Sequence, residues 1–180
     1  MSFRDTGLPF ISPSPNMPTE DTALVYPGMC QGEGTNVSEG RGTCRPFEQF
    51  GAPWLDGRAV ACALEELKLP GVRFRPVAFT PTFDKFAGQS CEGAFLHVTD
   101  RDAFRPLLTG LAVWQTSRAL SCGRFAWRAH AYEFVDRVPA FDLLCGTAKV
   151  RERIEGGLPL ASLVEGFEAQ LSQFPAVQLR

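Results

Sequence analysis

The stretch "DGRAVACALEELKLPGVRFRPVAF", residues 56–79, predicts a helix that is followed directly by a strand. Asp56 is a favourable N-cap, and the Pro-Gly pair at residues 70–71 is a typical signal for the end of a helix. The first residues of 72–79 then alternate between apolar and polar side chains, which predicts a strand, and Pro76 indicates a sheet edge or a bend. Four apolar residues recur at the spacing of one helix face: Val60, Ala63, Leu64 and Leu67.

The segments on either side add further strands and helices to this unit. Strands are predicted at residues 22–28, 45–55 (with Phe47 and Phe50 as buried anchors) and 94–100. Helices are predicted at about 103–120, capped by Asp100 or Asp102, and at 139–146, 147–156 and 160–173. Because these elements are interleaved without a regular strand–helix–strand series, we predict an α/β (mixed α+β) fold class. Its small mixed sheet would be covered by two to four helices.

Composition excludes several classes of function. The 180 residues are 44% hydrophobic and 21% charged with a net charge of −2, which is typical of a soluble globular domain. There is no basic stripe for nucleic acid and no apolar run long enough to span a membrane. The six cysteines form no Cys-x-x-Cys pair and there are two histidines, so we predict no metal site and no cofactor.

The N-terminal residues predict a domain boundary. Residues 1–20 are an extended, proline-rich segment without the apolar core of a signal peptide, and are interpreted as a linker. We expect the domain itself to cover residues 21–180 and a further part of the protein to precede it.

The segment "GEGTNVSEGRGTCRPFE", residues 32–48, is the most unusual part of the sequence. Its composition alone favours a solvated surface loop, since glycines and charged residues are common there. Its length, its glycines and the apolar segments on both sides favour a pocket for a polar ligand instead.

Charged residues of this segment are candidates for chemistry on a sugar. Glu33 and Glu39 are a pair of carboxylates of the kind that glycoside hydrolysis uses, one as a general acid and the other as a nucleophile or base. Arg41 and Arg45 could bind a ligand carboxylate in a bidentate manner, or either could neutralise one of the glutamates.

Several motifs resemble a known family. The stretches "PSPNMPTEDTALVYPG", "EGTNVSEGRGT", "RPFEQFGAPW", "FTPTFDKFAGQSCEG" and "LHVTDRDAFRP" look like the C-terminal half of the exo-β-N-acetylmuramidases, the NamZ-type peptidoglycan hexosaminidases. The resemblance continues through "YEFV" and "AFDLLCG" to the closing helices and covers nearly the whole chain.

The resemblance implies an activity and a partner subdomain. Family members release N-acetylmuramic acid from the non-reducing end of peptidoglycan fragments, which implies a cell-envelope or extracellular location. They have a Rossmann-like N-terminal subdomain and a C-terminal α/β subdomain, with the active site between them. The leading catalytic candidate is the glutamate of a Glu-His-Gly motif in the N-terminal subdomain, and this sequence contains no such triplet. The ligand implied is a muramyl saccharide.

The resemblance also places candidate residues on a sugar-binding wall. Arg41 is the candidate for the lactyl carboxylate of muramic acid. Trp54 is the best placed of the tryptophans to stack on a sugar, whereas the spacing of Trp114 indicates a core residue. His97 could donate to a sugar hydroxyl, although a buried core histidine is the more common explanation. Further candidate wall residues are Glu33, Asn36, Ser38, Glu39 and Arg45, with Tyr132, Glu133 and Asp142 lining the same cleft or, for Asp142, capping a short helix.

Three functional hypotheses follow from these observations. In the first, the chain contributes the substrate-binding half of an exo-acting glycosidase. Turnover of a muramic acid glycoside would separate this hypothesis from the second. Alternatively, it is a non-catalytic glycan-binding or interaction module left by truncation. A third hypothesis is an unrelated α+β fold whose polar segment only supports a turn.

Overall fold

A computed structural model of the protein describes residues 3–167 together with residues 169 and 172. Three strands are formed by β1 (Gln49–Ala52), β2 (Val72–Phe79) and β3 (Cys91–Val98). The α-helices in the described part are α1 (Glu20–Met29), α2 (Gly57–Glu66), α3 (Pro106–Ala119), α4 (Ala140–Cys145), α5 (Lys149–Glu155) and α6 (Leu160–Leu163). Two 3-10 helices, Phe3–Thr6 and Cys30–Gly34, precede and follow α1.

The three strands form one antiparallel sheet in the order β1-β3-β2. Val72 of β2 pairs with Val98 of β3, and Gln49 of β1 pairs with Phe95. The α+β fold class is confirmed, but the sheet is antiparallel throughout, whereas a mixed sheet was predicted. β2 is an edge strand, which confirms the prediction from Pro76, because a proline that donates no hydrogen bond is tolerated at an edge.

Helix α2 confirms most of the pattern that predicted it. The Asp56 carboxylate accepts hydrogen bonds from the backbone N–H groups of Arg58 and Ala59, each at 2.9 Å. Its buried residues include Val60 and Leu64. Leu67, predicted to lie on the same face, is 44% exposed because the helix ends at Glu66 and Leu67 is already the C-cap.

Residues 22–28 are part of helix α1, so the predicted strand is wrong there. Thr19 caps this helix, since its hydroxyl accepts the N–H of Thr22 at 3.1 Å. Glu20 and Asp21 lie in the first turn, where negative charge is favourable. Pro27 lies inside the last turn and has no N–H to donate to the carbonyl four residues earlier, so the helix lacks one backbone hydrogen bond there.

Helices α1 and α3 cross at two glycines. A Cβ atom on Gly28 would overlap the carbonyl of Pro106, and one on Gly110 would overlap the Gly28 carbonyl. The indole N–H of Trp114 donates to the Gly28 carbonyl at 3.2 Å, and this fully buried ring confirms the prediction of a core tryptophan. The close crossing fixes the direction in which the chain leaves α1.

The remaining predictions differ from the structure mainly at element ends. α3 begins at Pro106 rather than near 103, and Asp100 caps the preceding turn by accepting the N–H groups of Asp102 and Ala103. The predicted helices at 139–146 and 147–156 are confirmed as α4 and α5. The helix predicted at 160–173 contains α6, and part of that range lies outside the described residues. Among the described residues, no helix has the length and apolarity needed to cross a membrane.

Candidate functional site

The polar segment after α1 runs through the interior of the protein and is not a solvated loop. Val37 is fully buried and the Glu39 side chain is 2% exposed. Gly34 passes so close to α4 that a Cβ atom would lie 2.5 Å from the backbone nitrogen of Phe141. The glycines therefore allow close backbone approach, and the interpretation as a surface loop is wrong.

Arg41 connects the two glutamates of this segment. Its Nη2 donates to Glu33 Oε1 at 2.6 Å, and its Nε lies 3.2 Å from Glu39 Oε1. The guanidinium carbon lies 5.0 Å from the centre of the Phe47 ring. Burial opposes the charge of Arg41, but the hydrogen bond to Glu33 and the charges of Glu33 and Glu39 outweigh it and raise its pKa.

Lys85 enters this group from the loop between β2 and β3. Its Nζ donates to Glu39 Oε2 at 2.7 Å and to the backbone carbonyls of Gly32 and Val37 at 2.7 and 3.0 Å. An ammonium has three donors, so all of them are used. Lys85 had no predicted role, although it lies within the quoted motif "FTPTFDKFAGQSCEG".

Tyr132 completes the group by donating its hydroxyl to Glu33 Oε2 at 2.9 Å. Burial and then this hydrogen bond raise the pKa of Tyr132 above its ordinary value of 10.0, which keeps the hydroxyl a donor. We call Glu33, Glu39, Arg41, Lys85 and Tyr132 the Arg41 cluster.

A cavity of about 510 Å³ adjoins the Arg41 cluster. Asp84 and Lys85 line one part of it, and Trp127, Arg128 and His130 line another. We call it the Trp127 cavity. Trp127 therefore lines a ligand-sized cavity, and both Trp127 and Trp54, the tryptophan that the sequence favoured, are partly buried against the hydrophobic core.

Backbone pairing attaches the Trp127 side of the cavity to the polar segment. Thr35 forms a bridge with Trp127, and the N–H of Arg128 donates to the Gly34 carbonyl at 2.8 Å. The Trp127 indole N–H donates to Glu155 at 2.8 Å, and its ring centre lies 4.6 Å from that of Phe141. These contacts hold the indole in one orientation.

Asn36 and Ser38 hold the backbone of the site. The Asn36 amide donates to the carbonyl of Arg124 and accepts from the N–H of Ala126, both at 2.8 Å, although Asn36 also lines the Trp127 cavity. Ser38 is buried, and its hydroxyl accepts the N–H of Gly40 at 3.2 Å.

Arg45 and His97 lie at a different, smaller pocket of about 210 Å³. Arg45 pairs with Glu48 at 3.2 Å. His97 is exposed, packs on Phe95 with ring centres 4.6 Å apart and accepts from Arg75 at 3.4 Å, so the interpretation as a buried core histidine is wrong.

Asp142 neither caps α4 nor has an oxygen free of the protein for a ligand. Its two oxygens accept from Arg151 Nε and Nη2 at 2.9 and 3.0 Å, and its side chain is 4% exposed. The hydrogen bond to Asp142 is the main cause that raises the pKa of Arg151. Across the described residues, no group of three or more His, Cys, Asp or Glu side chains could hold a metal ion.

Comparisons with known proteins agree on one family. The profile of the family described as "Exo-beta-N-acetylmuramidase NamZ, C-terminal" matches residues 24–179. The "Peptidoglycan beta-N-acetylmuramidase NamZ" of Bacillus subtilis (strain 168) is 44% identical over 174 residues, which cover 97% of this chain and 40% of that protein.

Two crystal structures of DUF1343 family proteins from Bacteroides fragilis NCTC 9343 have a similar fold. One matches with a TM-score of 0.74 and 29% identity over 86% of this chain, and the other with 0.59 and 25% over 92%. The chain spans about 40% of the length of these relatives.

Proposed function

The chain belongs to the NamZ family through its C-terminal domain, and from that premise we propose that it forms the glycan-binding wall of an exo-acting glycosidase. The reaction proposed for the whole enzyme is release of N-acetylmuramic acid from the non-reducing end of peptidoglycan fragments. The observation that carries the proposal is the Arg41 cluster beside the Trp127 cavity. The volume of the Trp127 cavity, about 510 Å³, is typical of a small-molecule site.

The composition of the cavity wall fits a sugar. An indole face packs well on the apolar face of a pyranose ring, and fixed polar groups around it can bind hydroxyls. Trp127 supplies the aromatic face. Tyr132 fixes the position of the Glu33 carboxylate, and Lys85 fixes that of Glu39.

The two glutamates have different roles in this proposal. Glu39 is 2% exposed and both of its oxygens are bound, one by Arg41 and the other by Lys85. Both oxygens of Glu33 are also bound, by Arg41 and Tyr132, but Glu33 is 13% exposed, so we assign it to the substrate side, while Glu39 positions Arg41 and Lys85.

Hydrolysis of a glycosidic bond requires a second carboxyl group with an oxygen free for chemistry. We propose that it comes from the Rossmann-like subdomain implied by the resemblance, across a shared cleft. In that case this chain alone binds the sugar and does not turn it over, which is also the behaviour of a non-catalytic glycan-binding module.

Two measurements test the proposal. Titration of the 180-residue chain with N-acetylmuramic acid, followed by tryptophan fluorescence, should give saturable binding that Glu33→Gln weakens. A chromogenic β-N-acetylmuramide should be released at the rate of the protein-free blank, with the Bacillus subtilis relative as positive control. Absence of binding, or robust turnover by the chain alone, would contradict the proposal.

A further inference from the structure

We propose that Arg128 binds the carboxylate of the sugar in the Trp127 cavity and thereby selects muramic acid over uncharged hexosamines. This inference rests on the proposed function and names the residue that determines its specificity. It also assigns to Arg128 the role for which the sequence favoured Arg41.

Arg128 is a half-buried cation with unused donors. A guanidinium has five N–H donors. In the described part of the chain, the one acceptor of the Arg128 side chain is the Ala131 carbonyl, 3.2 Å from Nη2, and no carboxylate lies within ion-pair distance. The remaining donors are available to a ligand at the wall of the cavity.

The other two cations near the site are occupied. Arg41 is bound to Glu33 and Glu39, and Lys85 uses all three donors within the protein. A ligand carboxylate at either position would have to displace a buried carboxylate, which is costly because that charge would lose its partner.

Arg128 is also held in place before a ligand arrives. Its backbone N–H is bound to Gly34, and its guanidinium carbon lies 5.5 Å from the centre of the Tyr132 ring. Tyr132 is in turn bound to Glu33. Preorganisation of this kind reduces the entropy lost on binding, and a planar guanidinium matches a carboxylate in a bidentate manner.

Other charges at the cavity are compatible with an anion. Asp84 lines it as well, but its carboxylate lies 3.9 Å from Arg41, which opposes its charge. His130 lies on the same wall as Arg128 and offers a ring nitrogen as a further donor.

The test compares N-acetylmuramic acid with N-acetylglucosamine, which lacks the lactyl group, in titrations of wild type, Arg128→Gln and Arg124→Gln. Arg124 is exposed and four residues away, and serves as the matched control. Wild type should bind the acid about 10- to 100-fold more tightly, as expected for a hydrogen-bonded ion pair. Arg128→Gln should lose this preference, and Arg124→Gln should keep it.

Each alternative result has a defined meaning. Preference for the acid that survives in a folded Arg128→Gln variant overturns the inference and leaves the proposed function intact. Equal affinity of wild type for both sugars also overturns the inference and leaves the proposed function intact. If wild type binds neither sugar, the inference and the proposed function are both overturned. If Arg128→Gln does not fold, wild type is titrated with the methyl ester of N-acetylmuramic acid instead. Weaker binding of the ester than of the acid supports the carboxylate contact, and equal binding overturns it.

Discussion

Arg41 and Arg151 each bind two carboxylates at 3.2 Å or less, but their surroundings differ. Arg151 binds Asp142 and Glu155, and all three residues lie in or next to α4 and α5. Arg41 binds Glu33 and Glu39. Lys85, 46 residues further along the chain, also binds Glu39, and Tyr132, 99 residues further along, also binds Glu33.

The difference indicates that the Arg151 group has a structural role and that the Arg41 cluster belongs to a binding site. The Arg151 group joins two neighbouring helices, and one of its acids, Glu155, is 37% exposed. In the Arg41 cluster both acids are shielded, at 13% and 2%, and the cluster borders a cavity. Shielded charges that gather from distant parts of a chain cost desolvation energy, which favours a functional explanation over a purely structural one.

The largest effect is expected from Lys85→Met. The substitution leaves Glu39 buried with one partner fewer and removes the donor from the Gly32 and Val37 carbonyls. We expect the free energy of unfolding to fall by about 3–5 kcal/mol, measured by urea denaturation. Lys149→Met, at an exposed position, is the control. A loss as small as that of the control would contradict the role given to Lys85.

Arg151→Met should have a smaller effect on stability. Asp142 loses both of its hydrogen bonds, but Glu155 can be hydrated and no buried carbonyl is left without a donor. We expect a loss of about 3 kcal/mol, at the low end of the cost of breaking a buried ion pair, in the same urea experiment. Affinity for N-acetylmuramic acid should stay unchanged, and a large loss of affinity would show that the Arg151 group belongs to the site.

The smallest effect is expected on the ionisation of two thiols, Cys30 near the Arg41 cluster and Cys145 near the Arg151 group. Burial and then Glu33 raise the pKa of Cys30 to about 11, and burial and then Asp142 raise that of Cys145 to about 12, from an ordinary 9.0. Because both pKa values are raised on folding, the stability they contribute is present below pH 9 and is lost as pH rises through 11 to 12.

The free energy of unfolding of the reduced protein should therefore fall between pH 9 and pH 11. Glu33→Gln should speed alkylation of Cys30 at pH 9 by about two- to threefold, since it removes only the second cause of the raised pKa, and should leave Cys145 unchanged. Mass spectrometry of iodoacetamide-treated protein resolves the two sites. Equal changes at both thiols would contradict the assignment of one carboxylate to each.

Local patterns predicted the elements whose determinants lie close together in the chain. Asp56 and the apolar spacing after it specify α2 within about three turns, and the alternation before Phe79 specifies β2. A local pattern predicted the wrong element at residues 22–28, because a short apolar run suits a buried helix as well as a strand. There the cap at Thr19 was the signal that could have decided between them.

The site could be predicted only in part. Glu33, Glu39 and Arg41 are brought together as a charged group, although Arg41 binds the glutamates rather than remaining free. Arg45 and His97 belong to another pocket. Residue type alone does not reveal whether an arginine faces a carboxylate of its own protein or open space.

By itself, the sequence determined the α+β class, the caps and edges of the central helix and strand, and the family signature around residues 33–43, because each of these depends on residues that are near neighbours in the chain. Only the tertiary structure decided that Lys85 binds Glu39, that Trp127 lines a cavity, and that Arg128 keeps donors free. Those facts depend on which distant segments pack together, and packing is set by the summed burial and close backbone contacts of the whole core rather than by any local pattern.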